Sequence, residues 1–210
     1  MDDEGLNLEI TDDYSAIAEF DAKWDYKKLH SGKLYNEVRI QVWRGNETVA
    51  YLKCFVFYDS EIEAAGYDLV TVADNDLCDD AVEAMTILSE RERQDEDELF
   101  DFLYMPKSTV YLHHVAVRDD FRGRGIGSWL IRNLPDILVE NRNVYLGVII
   151  VKLYPQSINW GTYSPSFVSD LGDPEEHADM FIKMKRLLES NGYNRHGDSL
   201  FFIRDCAGGS

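Results

Sequence analysis

The sequence predicts a mixed α/β fold built as one domain, and three patterns support this. Residues 110–117 form a strand pattern that leads through a glycine-containing loop into an apolar pattern at helical spacing. Residues 35–58 form a hairpin pattern, and residues 144–154 form a second buried strand. The right-handed crossover rule makes the strands before and after the helix parallel. We expect one domain over residues 1–206, since 210 residues can bury a sizeable core, with 207–210 as a tail.

The N-terminal region predicts a short strand followed by a short helix. Leu6, Leu8 and Ile10 alternate with polar residues, as in a half-buried strand. Asp12 or Asp13 then stands where a helix N-cap is expected. The apolar residues of this predicted helix are Tyr14, Ile17, Ala18 and Phe20.

The next predicted element is an antiparallel hairpin. Val38, Ile40 and Val42 alternate with polar residues, which is the pattern of a strand with one face in the core. Residues 44–47 contain a glycine and an asparagine and form the expected turn. Residues 49–58 supply the returning strand, which is apolar at nearly every position.

A helical insertion is predicted at about residues 68–105, between the hairpin and the strand at 110–117. Residues 79–88 have the spacing of an amphipathic helix, which Asp76 or Asp79 would cap. The charged run at 91–98 is most simply a solvated helix face or a connection. Apolar residues at 99–103 predict a return to the core.

The strand, loop and helix at 110–132 together predict an anion-binding site. The first N–H groups of a helix lack intrahelical partners and lie at the positive end of its dipole. Gly123 and Gly125 would let a phosphate approach the backbone, and Arg122 and Arg124 add positive charge. A triphosphate loop is excluded, because no Lys-Ser or Lys-Thr follows the glycines. The dinucleotide pattern also fails, because its third glycine position is Ser128.

The remaining elements complete the predicted fold. Pro135 predicts a kink or an early stop in the helix that follows the loop. The long segment at 155–174 is either a lid over a substrate site or a decorated surface loop. Residues 175–191 form an amphipathic helix pattern, and Gly192 stands at the position of its C′ residue.

Charge and cysteine content restrict the class of partner. A formal net charge of −18 disfavours nucleic acid and anionic membranes as partners. It suits a cationic acceptor such as a polyamine, an aminoglycoside or a lysine-bearing peptide, or it simply keeps the protein soluble. The three cysteines lack C-x-x-C spacing, which predicts reduced thiols and no metal site. The acidic N-terminus is unlike a secretory or mitochondrial leader, and we expect a cytoplasmic protein.

The central stretch resembles motif A of the Gcn5-related N-acetyltransferases (GNAT), written [Q/R]-x-x-G-x-[G/A]. Here the motif is Arg122-x-x-Gly125-x-Gly127, and it follows the family-like entry VAVRDDFRGRGIG. The resemblance extends over about residues 35–58 and 108–204. It implies a mixed, mostly antiparallel sheet flanked by helices, whose two parallel central strands splay apart. The insertion at 68–105 departs from the family pattern and leaves open which segment covers the acceptor.

The resemblance also implies acetyl-CoA as the cosubstrate. In the family the pantetheine arm enters the gap between the splayed strands and pairs with the motif strand, while the loop and first helical turn hold the pyrophosphate. By this resemblance, the residues expected to contact the pantetheine arm are Val115, Ala116 and Val117. The phosphate contacts are Arg122, Gly123, Arg124, Gly125, Ile126, Gly127 and Ser128.

The reaction that the resemblance implies is direct attack of a primary amine on the thioester. His113 is the candidate base, because some family members carry a histidine there and alternation would place it on the same face as Val115. The alternative is that His113 is a core histidine; His114 would face the other way. The family's usual tyrosine acid is absent, since Leu188 occupies its place. Tyr154 or Tyr163 could supply the proton to the thiolate, or solvent could do so.

Two other functions fit the sequence. One is a catalytically degenerate relative that binds acyl-CoA or a protein partner. The other is an acidic interaction module that mimics nucleic acid, which the charge favours and the intact Arg122, Gly125 and Gly127 disfavour. Dimers are common among proteins of this family, so a homodimer is a further expectation.

Overall fold

The structure is a computed structural model. It describes residues 6–11, 14–24, 33–95, 107–142, 145–153, 157–160, 165–168 and 178–206. Within these ranges, only the backbone is described for residues before 34, for residue 76, and for 92–95, 141–142, 157–160 and 165–168. The predicted core residues at 99–103 lie outside these ranges.

Eight strands of the described part of the chain form one sheet, in the order β1-β2-β3-β4-β5-β6-β10-β9. The neighbours β5 and β6 run parallel and the other pairs antiparallel, which confirms the predicted mixed, mostly antiparallel sheet. Two short strands, β7 and β8, pair separately. The strands are β1 (Leu6–Thr11), β2 (Tyr14–Trp24), β3 (Lys33–Arg44), β4 (Glu47–Tyr58), β5 (Lys107–Val117), β6 (Tyr145–Lys152), β7 (Ser157–Trp160), β8 (Pro165–Val168), β9 (Asn194–Arg195) and β10 (Phe201–Asp205).

Helices cover both faces of the sheet. The helices are α1 (Asp59–Ala64), α2 (Leu69–Asp76), α3 (Asp79–Asp95), α4 (Ile126–Arg142) and α5 (Ala178–Glu189). One apolar cluster lies on the face of α4 and α5 and includes Val38, Ile40 and Leu130. A second cluster lies on the face of α1, α2 and α3 and includes Tyr111 and Met85. Because both faces are covered, the central strands are apolar at nearly every position.

The β3–β4 hairpin forms where the alternation predicts it. Val38, Ile40 and Val42 are fully buried, and the strands pair in one register from Tyr35 to Val42, with a shift between Val42 and Trp43 close to the turn. The predicted helix at residues 14–20 is wrong, because that segment is part of β2, which pairs along its length with β3. The sequence from 15 to 24 carries apolar residues at the even positions and, apart from Ile17, polar residues at the odd ones. That period of two fits a strand better than a helix.

In its described part, residues 59–95, the insertion contains three helices, and it begins earlier than predicted, at Asp59. The carboxylate of Asp59 ties α1 to β5 by accepting hydrogen bonds from the N–H and hydroxyl of Thr109, at 3.2 and 3.0 Å. Asp68 caps α2 by accepting from the N–H of Thr71 at 2.7 Å. The predicted caps of α3 are wrong: Asp76 is the last residue of α2, and Asp79 is already the first residue of α3.

The helix after the glycine loop continues through Pro135 to Arg142, so the predicted early stop is wrong. The predicted end of α5 is confirmed as a Schellman motif. Tyr193 donates its N–H to the carbonyl of Leu188 at 3.1 Å, and Gly192 donates to Glu189 at 3.2 Å.

Candidate active site

A β-bulge at the two histidines shapes the central strand. Along the ladder with β4, Leu112 pairs with Cys54 and His114 pairs with the next residue, Lys53. His113 is therefore the extra residue of β5. The His113 and His114 rings have centroids only 3.7 Å apart, which neighbouring residues on opposite faces of a regular strand cannot reach. Both imidazoles thus lie on the same face.

The bulge shifts the alternation of side chains along β5. Before it, Leu112 packs in the cluster under α4; after it, Val115 and Val117 pack against that same cluster. His113 lies on the opposite face, where its ring is 5.6 Å from those of Phe55 and Tyr111. The expectation that His113 shares a face with Val115, and that His114 points the other way, is therefore wrong. The expectation fails because it depends on regular alternation, which the extra residue in β5 shifts by one position.

A gap opens in the sheet beyond the bulge. The parallel ladder of β5 and β6 ends at the pair Leu112 and Val151, while β5 continues to Val117. A bulge bends its strand and increases the local twist, which separates β5 from β6 at this end. The edge of β5 from Val115 to Val117 has no strand partner on the β6 side among the described residues. The predicted splaying of the two parallel strands is confirmed.

A cavity of about 410 Å³ follows this gap. Its walls are β5 beyond Leu112, the end of β6, the glycine loop with the first turn of α4, and the inner side of α5. The side chains from α5 include Met180, Met184 and Leu187, which make that wall apolar and adaptable. His113 and His114 also line the cavity, although they lie on the other face of the sheet. The cavity therefore passes from one face of the sheet to the other.

The glycine loop ends in an anion-binding helix terminus. The first intrahelical hydrogen bond of α4 runs from the N–H of Trp129 to the carbonyl of Gly125, at 2.8 Å. The N–H groups of Ile126, Gly127 and Ser128 therefore have no intrahelical acceptor. Gly125 has φ of +83°, a conformation that favours glycine, and open space where a Cβ would stand. The backbone there can form close contacts with an oxyanion.

The loop arginines are held by the loop itself. The guanidinium of Arg122 pairs with Asp119 at 2.7 Å and donates to the carbonyl of Val117 at 3.1 Å. Arg124 donates to the carbonyl of Asp120 at 3.1 Å. Arg122 lines the cavity, whereas Arg124 is not among the described residues that do so. Of the two arginines predicted to contact phosphate, Arg122 is therefore at the cavity wall and Arg124 is not.

His113 is neutral over the physiological pH range. Burial, and after it the ammonium of Lys53, lower the pKa of His113 to about 4, although the carboxylates of Asp80 and Glu37 oppose the shift. Its Nδ1 is buried without a hydrogen-bond partner among the described residues. A neutral imidazole retains a lone pair, so it can accept a proton or a hydrogen bond.

Lys152 is a cavity residue that the sequence did not single out. It is the last residue of β6 and directly follows the final paired residue, so it stands where the two strands separate. Its ammonium bonds Asp80 and Glu83 of α3, each at 2.8 Å. Burial alone would lower the pKa of Lys152, but these hydrogen bonds outweigh it and leave the pKa raised. The only signal in the sequence was a lysine ending an apolar run.

The predicted acids lie outside the described residues. Tyr154 and Tyr163 are both in undescribed parts of the segment 155–174 or next to it, and that segment contains the β7–β8 pair. Leu188, at the family's tyrosine position, is buried and lines the cavity.

Comparison with known proteins assigns the chain to a family. A model of the "Acetyltransferase (GNAT) family" matches residues 6–156, which is most of the chain. The chain belongs to the GNAT family. It is therefore an acyltransferase of the N-acetyltransferase type, and the family resemblance predicted from motif A is confirmed. No curated protein matches the sequence.

Several solved structures are similar to this GNAT chain at low identity. An agmatine N-acetyltransferase mutant in its apo form is 12% identical and a polyamine N-acetyltransferase of Drosophila melanogaster is 13% identical, with TM-scores of 0.40 and 0.39. AtaT in complex with acetyl-methionyl-tRNAfMet is 10% identical, with a TM-score of 0.35. Each alignment covers 80% of this chain, and it covers 73%, 74% and 71% of the three solved chains, in the order given.

Two further findings concern the described part of this GNAT chain. No group of three or more His, Cys, Asp or Glu side chains is arranged there to hold a metal ion. None of the helices in the described ranges has both the length and the apolar character of a membrane span.

Proposed function

We propose that this protein is an acetyl-CoA-dependent N-acetyltransferase that acts on a primary amine. The observation that carries the proposal is one continuous cavity, which joins the anion-binding turn of α4 to the gap in the sheet and to His113. A cosubstrate with phosphates at one end and a thioester on a narrow arm at the other end matches this shape. A cavity that crosses the sheet also lets two substrates meet from opposite faces.

The cosubstrate would lie along the α4–α5 side of the cavity. Its pyrophosphate would accept from the N–H groups at 126–128, with Gly123, Gly125 and Arg122 around it. Its pantetheine arm would pass between the apolar wall of α5 and the free edge of β5 at 115–117, where backbone groups can pair with its amides. Arg124 would reach the phosphates only from outside the cavity wall.

The transfer itself needs a neutral amine, a polarised carbonyl and a proton for sulfur. The amine nitrogen attacks the thioester carbon, the C–S bond breaks, and the thiolate leaves. Backbone N–H groups near Val115 would polarise the carbonyl oxygen. His113 lines the cavity as a neutral imidazole, so it would relay the proton that the amine loses, directly or through a water, and would not retain it, because its lowered pKa disfavours the imidazolium. Tyr154 or Tyr163 remain the proposed donors to sulfur, with solvent as the alternative.

The acceptor would approach from the face of α1, α2 and α3, where the histidines lie. Asp80 and Glu37 are near enough to His113 to act on its pKa, and Glu83 bonds the same Lys152 ammonium as Asp80. Each of these carboxylates is paired with a cation. A cationic small molecule or a peptide amine fits this acidic surrounding, and the net charge of −18 agrees with it. Three other expectations stay predictions: a single domain over 1–206, a cytoplasmic location and a homodimer.

The test is calorimetric titration of acetyl-CoA into the wild type and Gly125→Glu. A glutamate there adds negative charge and a side chain where the pyrophosphate should lie, so micromolar binding should be lost. Gly66→Glu is a matched control, because Gly66 also has a positive φ, +77°, with open space around it. Equal losses in both variants would attribute the effect to backbone strain.

The outcome also separates the alternatives. One outcome is that the wild type binds acetyl-CoA but acetylates none of the primary amines tested, and that His113→Ala leaves the binding unchanged. This outcome would identify a degenerate acyl-CoA-binding relative. Absence of acetyl-CoA binding by the wild type would overturn the proposal and favour an acidic interaction module.

A further inference from the structure

The first turn of α4 and the last turn of α5 are joined through one buried side chain. The amide nitrogen of Asn191 lies 3.1 Å from the hydroxyl oxygen of Ser128 and 2.7 Å from the carbonyl oxygen of Leu187, to which it donates. The amide oxygen of Asn191 accepts from the Ser128 hydroxyl at 3.2 Å and from Nε of Arg132 at 3.4 Å. Asn191 is 7% exposed.

A second contact brings the same two turns together. A Cβ on Gly127 would stand 3.4 Å from Cγ2 of Val117 and 3.7 Å from Cδ2 of Leu187. The first turn of α4 therefore packs close to the end of β5 and to α5. Leu187 takes part in both contacts, through its side chain here and through its carbonyl at Asn191.

Asn191 itself is not among the described residues that line the cavity, whereas Ser128 and Gly127 are. Any influence of Asn191 on a ligand must therefore pass through the turn that it holds. That turn carries the N–H groups of Ile126, Gly127 and Ser128, which are the oxyanion donors of the site. Preorganised donors bind an anion more tightly, because no entropy is lost in ordering them when the anion binds.

We propose that Asn191 is a positioning residue, which fixes the first turn of α4 against α5 so that its N–H groups face the pyrophosphate of the cosubstrate. The inference rests on the proposed use of acetyl-CoA. It predicts that Asn191 affects ligands with a pyrophosphate and leaves the pyrophosphate-free arm of the cosubstrate unaffected.

The experiment compares two ligands in two variants. Asn191→Leu keeps the side-chain size and removes every polar bond to Ser128, Leu187 and Arg132. Asn133→Leu is the matched control, because Asn133 donates to the carbonyl of Trp129 at 2.8 Å within α4 and does not contact α5 in the described contacts. Acetyl-CoA binding is measured by calorimetry and S-acetylpantetheine binding by NMR titration, with the melting temperature of each variant recorded.

The expected result is at least a tenfold weaker acetyl-CoA affinity in Asn191→Leu, with S-acetylpantetheine affinity within about twofold of the wild type. Asn133→Leu should change neither. If Asn191→Leu does not fold, Asn191→Ser replaces it, because a serine is too short to bridge the two helices.

Three results would overturn the inference: unchanged acetyl-CoA affinity in Asn191→Leu, equal losses for both ligands, or an equal loss in Asn133→Leu. In each of them the wild type still binds acetyl-CoA. A wild type that fails to bind acetyl-CoA would instead overturn the proposed function, and this inference with it.

Discussion

The guanidinium of Arg204 lies 3.4 Å from the carbonyl oxygen of Ile131, the acceptor that Pro135 leaves without its helical donor. The same guanidinium lies 3.3 Å from the carbonyl oxygen of Arg132. A side chain of β10 thus supplies the hydrogen bond that proline removes from α4. This explains why the helix continues through Pro135, where the sequence predicted a kink or an early stop.

Arg204→Met should therefore lower the free energy of unfolding by about 1–2 kcal/mol, because it leaves a half-buried carbonyl without a donor. In a Pro135→Ala background the loss should be smaller, because alanine has the N–H that restores the helical bond to Ile131. The double-mutant cycle is measured by urea unfolding. The guanidinium of Arg204 also contacts the Tyr193 ring. Arg204→Met removes this contact in both backgrounds, so its energy drops out of the cycle. Equal losses in the two backgrounds would refute the compensation.

The pKa of His113 predicts how stability depends on pH. Since the folded pKa is about 4 and the unfolded value is 6.5, the unfolded state binds the proton more tightly between these values. This contribution to stability is complete above the unfolded pKa and is lost as the pH falls through the window. His113→Asn should remove about 2 kcal/mol of the loss between about pH 7.5 and about pH 5.

Guanidinium unfolding of the wild type and His113→Asn at both pH values checks this. The other titrating groups are common to both proteins, so their difference isolates His113. A difference in unfolding free energy that is the same at both pH values would show that His113 titrates normally.

Two charge-removing variants should move the pKa of His113 in opposite directions. Lys53→Met should raise it, because the ammonium of Lys53 disfavours a second positive charge nearby. Asp80→Asn should lower it, because the carboxylate favours the imidazolium. The imidazole C–H resonances are followed by NMR against pH, with His113→Asn used for assignment. Shifts of the same sign in both variants would show that conformational change, and not charge, controls the pKa.

Much of the fold follows from local patterns in the sequence. The strand, loop and helix at 107–142 were predictable because a continuous apolar strand meets glycines and a helical apolar period within a few residues. The strand β2 was missed because Ile17 interrupts its period of two, and adjacent apolar residues such as Ile17 and Ala18 are also common in helices. Pairing with β3 determines that this segment is a strand and not a helix.

The site was predictable where it depends on the backbone of a contiguous motif, and not where it depends on packing between distant segments. Asn191 and Ser128 are 63 residues apart, and nothing local links them. The bulge did leave a sequence signal. Apolar positions on the α4 face are even at Val110 and Leu112 and odd at Val115 and Val117, so the parity changes across the histidines. An extra residue is the simplest cause of such a change.

The extra residue at His113 means that the opening in the sheet depends on chain length rather than on side-chain chemistry. A chain shorter by one residue at this point would restore regular alternation along β5, and β6 could then pair with it to the end. The strands would close into an uninterrupted wall, with no passage from one face to the other. Point substitution of either histidine keeps the residue count, so the passage should survive the loss of either imidazole.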